Sequence, residues 1–418
     1  MATYTYNSKV FFFVFVLLWA SCEGVIKLPG NMTVPAIFAF GDSIVDQGNN
    51  NDMKTLVKCN FMPYGKDFEG GVSTGRFCNG KTPPDLIAEE LGIAELIPAY
   101  LDPNLKPADL KKGVSFASGG CGYDPQTPKL VSVISLSDQL ELFKEYIGKL
   151  KGVVGEEETH TILTNSIHLL VAGSDDLANT YFTFGVSNLY NLSSYSDLMV
   201  SSASSFIQEI YKLGARRIAV FGTPPIGCLP SQRTLAGGGA RTCSQKYNQA
   251  AQLVNSKFSS QCDSLTKKLP QSRVVYVDIY NPLLDLIQSP QNYGFDVADK
   301  GCCGTGNIEV VILCNKYSGT CANDKKYVFW DSYHPTEAGY KVIIDRLLVY
   351  WVPLGYISKP HASSPERPRD IRTWVHCVIR DNEGETERLK KLGQNFVKDS
   401  LKITSTGHCY GVWSAAAE

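Results

Sequence analysis

The chain has 418 residues, 44% of them hydrophobic, 11% aromatic and 19% charged, with a formal net charge of -1. That is enough apolar material for a large core. The near-balance of charge removes any electrostatic reason to expect a nucleic-acid partner.

The first residues have the shape of a secretory signal. Lys9 supplies a positive charge, and Val10 to Ala20 is an apolar run of 11 residues, against roughly 20 needed to span a bilayer. Small residues follow at Ala20, Ser21, Cys22 and Gly24, so residues 1–24 are read as a signal peptide. No later stretch is long and apolar enough to span, so no transmembrane segment is expected after its removal. The 13 cysteines fit export, since ten of them lie between Cys59 and Cys321 and several disulfides belong to an oxidising compartment. The neighbours Cys302 and Cys303 are poorly placed to bond each other, so each is expected to have a distant partner. The pairing itself does not follow from order. No Cys-x-x-Cys occurs, which argues against a structural zinc site. Asn31-Met-Thr33 and Asn191-Leu-Ser193 are glycosylation sequons, usable in an exported chain.

Pro35 to Phe40 reads as a buried strand, followed at once by Gly41-Asp42-Ser43. That puts the Ser43 hydroxyl on a turn outside the sheet, where ligands of open α/β sheets bind. Residues 44–81 are rich in Asn, Gly and Asp and read as loop. They contain Gly71-Val-Ser73-Thr-Gly75, a literal Gly-x-Ser-x-Gly. That motif marks a nucleophile only on a strand-to-helix elbow, which is missing here, so Ser73 is rejected. Thr82 to Gly92 is a helix with Pro near its start and Gly at its end. Gly113 to Gly120 reads as a second strand running into glycines, and Leu136 to Leu150 keeps a helical stripe. His168 to Gly173 is a third strand, ending in Ser174-Asp175-Asp176. Met199 to Leu213 is a helix, Arg217 to Phe221 a fourth strand, Tyr247 to Leu269 a long amphipathic helix and Val274 to Ile279 a fifth strand. A cysteine- and glycine-rich loop covers 294–325, and the last helix follows Pro335.

Apolar strands alternating with helices imply parallel pairing with both faces covered. The expected fold is therefore α/β, a three-layer αβα sandwich with a five-stranded parallel sheet, in which the glycine-rich strand ends share one edge. From about Pro353 the strand–helix rhythm stops. Residues 25–352 are read as the catalytic domain and 353–418 as an atypical tail without order.

Asp331-Ser-Tyr-His334 lies just before the final helix. An Asp three residues before a His can reach its Nδ1, fix the tautomer and stabilise the imidazolium. His160 and His168 have no nearby carboxylate suited to that task. Strand-end Ser43, Gly119-Gly120, Gly173-Ser-Asp-Asp176 and Asp331-x-x-His334 follow one another in that order. With Gly75-Arg76-Phe77, Asn79-Gly80, Gly113-Val-x-Phe-Ala-Ser-Gly-Gly120, Pro224-Pro-Ile-Gly-Cys228 and Gly301-Cys-Cys-Gly304, this resembles the secreted plant branch of the GDSL esterase/lipases, the SGNH hydrolases, over about residues 34–350.

The resemblance implies a flavodoxin-like sheet and a secreted, extracellular ester hydrolase acting on acyl or lipid esters, without metal or organic cofactor. It makes Ser43 the nucleophile, His334 the base and Asp331 its orienting group. Its oxyanion hole would use the amides of Ser43 and Gly119, with Gly120 as the alternative. The family's third block is Gly-x-Asn-Asp, whose Asn donates to the oxyanion; here that position is Asp175. An ionised carboxylate only accepts. Asp175 is therefore protonated, or turned away while backbone donors suffice, or a source of low activity. The same triad serves acyl transfer to an alcohol. A non-catalytic extracellular binding protein on the same fold is the rival from another class, favoured by Asp175 alone.

Overall fold

The computed structural model describes residues 33–306, 308 and 314–351. The signal segment, Asn31 and the 353–418 tail lie outside the described residues.

Four strands form one parallel sheet in the order β1 (Ile37–Gly41), β2 (Ile167–Val171), β3 (Arg217–Phe221) and β4 (Arg273–Val277). Gly41 pairs with Val171, and Val171 in turn with Phe221. The C-terminal ends of the strands therefore sit side by side. The stretch expected as a further strand, 113–120, lies along the free side of β1. It forms isolated parallel bridges, Ala39 with Ser115 and Ser115 with Ala99, rather than a continuous ladder. The Phe116 amide donates to the Ala39 carbonyl at 2.8 Å, and the Ser118 amide to the Gly41 carbonyl at 3.0 Å. On its outer side the Tyr100 amide donates to the Ser115 carbonyl at 2.9 Å, and the Asn49 side-chain amide donates to the Ser115 and Ala117 carbonyls at 2.9 and 2.7 Å. The sheet thus has four regular strands, with this stretch completing it beyond β1.

Helices cover both faces. On one, α2 (Leu136–Val154), α3 (Leu192–Lys212) and α4 (Gln245–Lys268) pack side by side. On the other lie α1 (Pro83–Glu90) and α5 (Glu337–Trp351), which touch each other. Local sequence accounts for the starts. Ser135 and Asp138 form a capping box for α2, and Thr82 with Asp85 does so for α1. The α2 face is pinned to the sheet by rings: Phe38 meets Phe143 and Tyr146 at 5.7 and 5.3 Å, and Phe40 meets Phe116 and Phe143 at 5.1 and 5.2 Å. Residues two apart on a strand share a face, so both phenylalanines of β1 commit that side to the aromatic cluster.

A second, two-stranded parallel sheet joins β5 (Val297–Gly301) and β6 (Tyr327–Phe329). β5 falls within 294–325, where the sequence predicts loop. β5 is short and polar, Val-Ala-Asp-Lys-Gly, and carries no apolar run to announce it. This pair delivers the Asp331–His334 loop. Disulfides Cys302–Cys321 and Cys303–Cys314 brace the same region, so the two adjacent cysteines do take separate partners. A third links Cys228 to Cys243, and Cys59, Cys78, Cys121 and Cys262 are buried thiols.

Candidate active site

The turn after β1 is held from several directions. Gly41 has φ +129°, and a Cβ there would strike the Val171 carbonyl, so only glycine lets β1 approach β2 this closely. Buried Gln139 of α2 brackets the same residue, accepting from the Gly41 amide at 2.8 Å and donating to its carbonyl at 2.9 Å. The Asp42 amide bonds to the Val171 carbonyl at 2.8 Å, and Asp42 Oδ1 accepts from the Ile44 amide at 3.0 Å. Ser43 stands on this braced turn.

Ser43 Oγ lies 2.7 Å from His334 Nε2. His334 Nδ1 lies 2.8 Å from Asp331 Oδ2 and 2.9 Å from Oδ1. A carboxylate can only accept, so Nδ1 carries the hydrogen and Nε2 is left as the acceptor for the serine O–H. The backbone amides of His334 and Tyr333 donate to Asp331 Oδ1 at 2.7 and 2.8 Å. Burial acts to raise the Asp331 carboxyl, but the imidazole and these donors together hold it below the usual carboxylate range. The Phe77 ring stacks obliquely against His334 at 5.2 Å. Gly119 leaves room for that ring, since a Cβ there would meet it at 2.5 Å.

On the oxyanion side one expected donor is already engaged. The Gly119 amide is already donated, to Asp46 Oδ2 at 2.8 Å. The other oxygen of Asp46 accepts the Gly48 and Asn49 amides, both at 2.8 Å. Burial pushes this carboxyl up to about 6 despite its three amide donors. Ser118 to Cys121 form a turn closed by a 3.0 Å bond from the Cys121 amide to the Ser118 carbonyl, with Gly120 at φ +87°. A positive φ at the third residue is the type II pattern.

Asp175 does not stand clear of the site. Its carboxyl interacts electrostatically with His334, and Asn179 donates to its Oδ1 at 2.7 Å. Burial pushes it up to about 6, opposed by those two groups. Asn179 belongs to a π-helix, Asp176–Thr183, and its Oδ1 accepts from the Tyr333 hydroxyl at 3.1 Å. Asp42 is 1% exposed; burial, then the nearby Asp175, raise its carboxyl well above the usual range, and its Oδ2 has no hydrogen-bond partner. Asp176 points elsewhere, accepting the Tyr123 and Asp124 amides and the Thr127 hydroxyl.

Other sequence candidates fall outside the cleft. Ser73 Oγ donates to the Tyr64 carbonyl at 2.9 Å in a loop. His168 is wholly buried in β2, against Phe38 and Phe143 at 5.0 and 6.0 Å. His160 is exposed on a surface helix. Asn191 is exposed and caps α3, its Oδ1 accepting from the Ser194 amide at 2.9 Å. Among the described residues no group of His, Cys, Asp or Glu is arranged to hold a metal ion, and no helix is long and apolar enough to cross a membrane. Sequence reasoning missed Gln139 and Asp46. It also missed Tyr64, whose hydroxyl donates to Asp331 Oδ2 at 2.8 Å.

Comparison with known proteins points the same way as the cleft. Residues 37–347 match the family model described as GDSL-like Lipase/Acylhydrolase. The GDSL esterase/lipase EXL3 of Arabidopsis thaliana is 60% identical over 334 residues, covering 80% of this chain and 92% of the relative. GDSL esterase/lipase EXL2 of the same plant is 50% identical over 357 residues, covering 82% and 94%.

Proposed function

The chain belongs to the GDSL-like lipase/acylhydrolase family and is a carboxylic ester hydrolase, and from that premise we propose that it cleaves acyl or lipid esters through Ser43, His334 and Asp331. The observation that carries this reading is the continuous contact from Ser43 Oγ through the imidazole to Asp331, at 2.7 and 2.8 Å.

His334 Nε2 takes the serine proton as Oγ attacks the ester carbonyl carbon. The carbonyl π electrons move to oxygen, giving a tetrahedral oxyanion and an imidazolium held by Asp331. Collapse expels the alkoxide, which receives the proton from His334 and leaves as the alcohol. Water, deprotonated by the same nitrogen, then attacks the acyl-enzyme and releases the carboxylic acid and Ser43. The oxyanion meets the Ser43 amide and the Gly120 amide; Gly119 joins only if Asp46 gives up its bond. Asp175 supplies the third donor when it carries a proton and none when it is ionised.

Export of this hydrolase to the extracellular space, with residues 1–24 removed and Asn31 and Asn191 open to glycosylation, is supported by the Lys9 and Val10–Ala20 pattern and by the three disulfides. The hydrolase unit is taken as residues 25–352, a range that contains the whole family match. The test is hydrolysis of a short p-nitrophenyl ester by wild type and Ser43→Ala. The expected loss is about 10⁴-fold or more in kcat, and an unimpaired variant would refute the reading.

A further inference from the structure

The Gly-x-Ser-x-Gly hydroxyl, rejected as a nucleophile, has a structural use close to the triad. Ser73 Oγ holds the Tyr64 carbonyl at 2.9 Å, and the next amide, Gly65, donates to the Cys78 carbonyl at 2.9 Å. The Tyr64 ring is 3% exposed. It lies edge-on to Phe61 at 5.5 Å and to Trp330 at 6.2 Å. Within this aromatic wall its hydroxyl donates to Asp331 Oδ2 at 2.8 Å.

We propose that Tyr64 is a positioning residue for the ester hydrolysis, acting through Asp331 to hold the carboxylate square to the His334 ring. This rests on the triad reading above. Asp331 Oδ1 is anchored by two backbone amides, whereas among the described residues Oδ2 has the imidazole and Tyr64. Burial, then the Asp331 charge, raise the phenol well above its ordinary range, so it remains a donor throughout the working pH range. The Cys59 thiol lies against the same hydroxyl and is likewise pushed up, by burial and then by Asp331. It stays protonated, so Asp331 remains the stronger acceptor for the phenol.

Without the phenol, Oδ2 keeps a bare lone pair in a buried site. The carboxylate becomes more basic and pulls harder on the imidazolium. His334 then holds its proton to higher pH and returns it to the leaving alcohol less readily. Serine at 73 affects the same chemistry at one remove, by fixing where Tyr64 stands.

The experiment uses the full chain carrying Tyr64→Phe, which keeps the ring and its packing, with Ser73→Ala as a second variant. Competent sites are counted with a fluorophosphonate, and kcat, KM and the pH profile are measured on one short acyl ester. The expected result for Tyr64→Phe is a kcat per labelled site lower by about tenfold, KM within about twofold, and an acid limb moved to higher pH. Ser73→Ala should move both readouts the same way by less. An unchanged kcat per labelled site with an unmoved acid limb overturns the proposal, as does a loss confined to the number of labelled sites. If Tyr64→Phe does not fold, an unmoved acid limb in Ser73→Ala overturns it. Ser43→Ala assayed in parallel separates the two claims, since full turnover there would refute the triad itself.

Discussion

Asn179 donates its side-chain amide to Asp175 Oδ1 at 2.7 Å, so the carboxamide next to the oxyanion side comes from one turn further along the chain. The resemblance read from the sequence implies an amide at position 175 itself. Here the amide at 179 tethers the carboxyl instead, beside His334. With burial pushing Asp175 up to about 6, it is mostly protonated below that pH and mostly ionised above it. The sign follows directly. As pH rises through about 6 the wild type exchanges a donor for a repelling charge.

Asp175→Asn removes this exchange. Its turnover relative to wild type should grow between pH 5 and 8, reaching on the order of tenfold at the alkaline end, against the larger loss known for removing an oxyanion donor outright. The measurement is a pair of pH–rate profiles on one short acyl ester. A ratio that stays flat with pH would show that the 175 side chain does not touch the oxyanion.

Gln139 should prove as important to turnover as to folding. Gln139→Leu strips both side-chain partners from the buried Gly41 peptide groups, two residues before Ser43. The carbonyl keeps the Ser118 amide, and the unsatisfied Gly41 amide costs about 1–3 kcal/mol of stability. The substitution also loosens the turn that presents Ser43, so kcat should fall with KM little changed. Denaturant titration and steady-state kinetics check both halves. Normal kcat in the folded variant would mean that the Val171 and Asp42 contacts fix Ser43 alone.

His168 makes an acid-stability prediction independent of the active site. Burial pushes its pKa from 6.5 down to about 3, against the opposing pull of the Arg217 and Ser166 backbone. Above 6.5 neither folded nor unfolded chain binds a proton there. Below it the unfolded chain takes one and the folded chain does not until about 3. Stability is therefore lost as pH falls through that window, at up to about 1.4 kcal/mol per pH unit from this group. His168→Leu should lose less stability than wild type between pH 7 and 4.5, measured by denaturant midpoints at both values. Equal losses would place the acid sensitivity elsewhere.

The parts of the molecule that announce themselves in the sequence are those built from local pattern. The β1 run into Gly41-Asp42-Ser43, the α2 stripe and the Asp331-x-x-His334 spacing each fit within a few residues, and parallel pairing then carries the strand ends to one edge. The second strand was legible as an apolar run, but it meets its neighbours through isolated bridges at Ser115, with Asn49 donating to its outer carbonyls. β5 was invisible because its residues are polar. Gln139 and Tyr64 sit 98 and 267 residues from their partners, so no spacing could reveal them. The Asp46 bond to Gly119 is of the same kind: both residues were in view, and only the fold joins them.

The central claim is that Ser43 is the group that becomes acylated. Its most direct test is to treat the intact protein with a fluorophosphonate, digest it and map the adduct by mass spectrometry. The account predicts one phosphonyl group per chain, on the peptide containing Ser43. It should be absent from Ser43→Ala and slow to form in His334→Ala. An adduct on another serine, or continued ester hydrolysis by fully active protein with Ser43 unmodified, would contradict it.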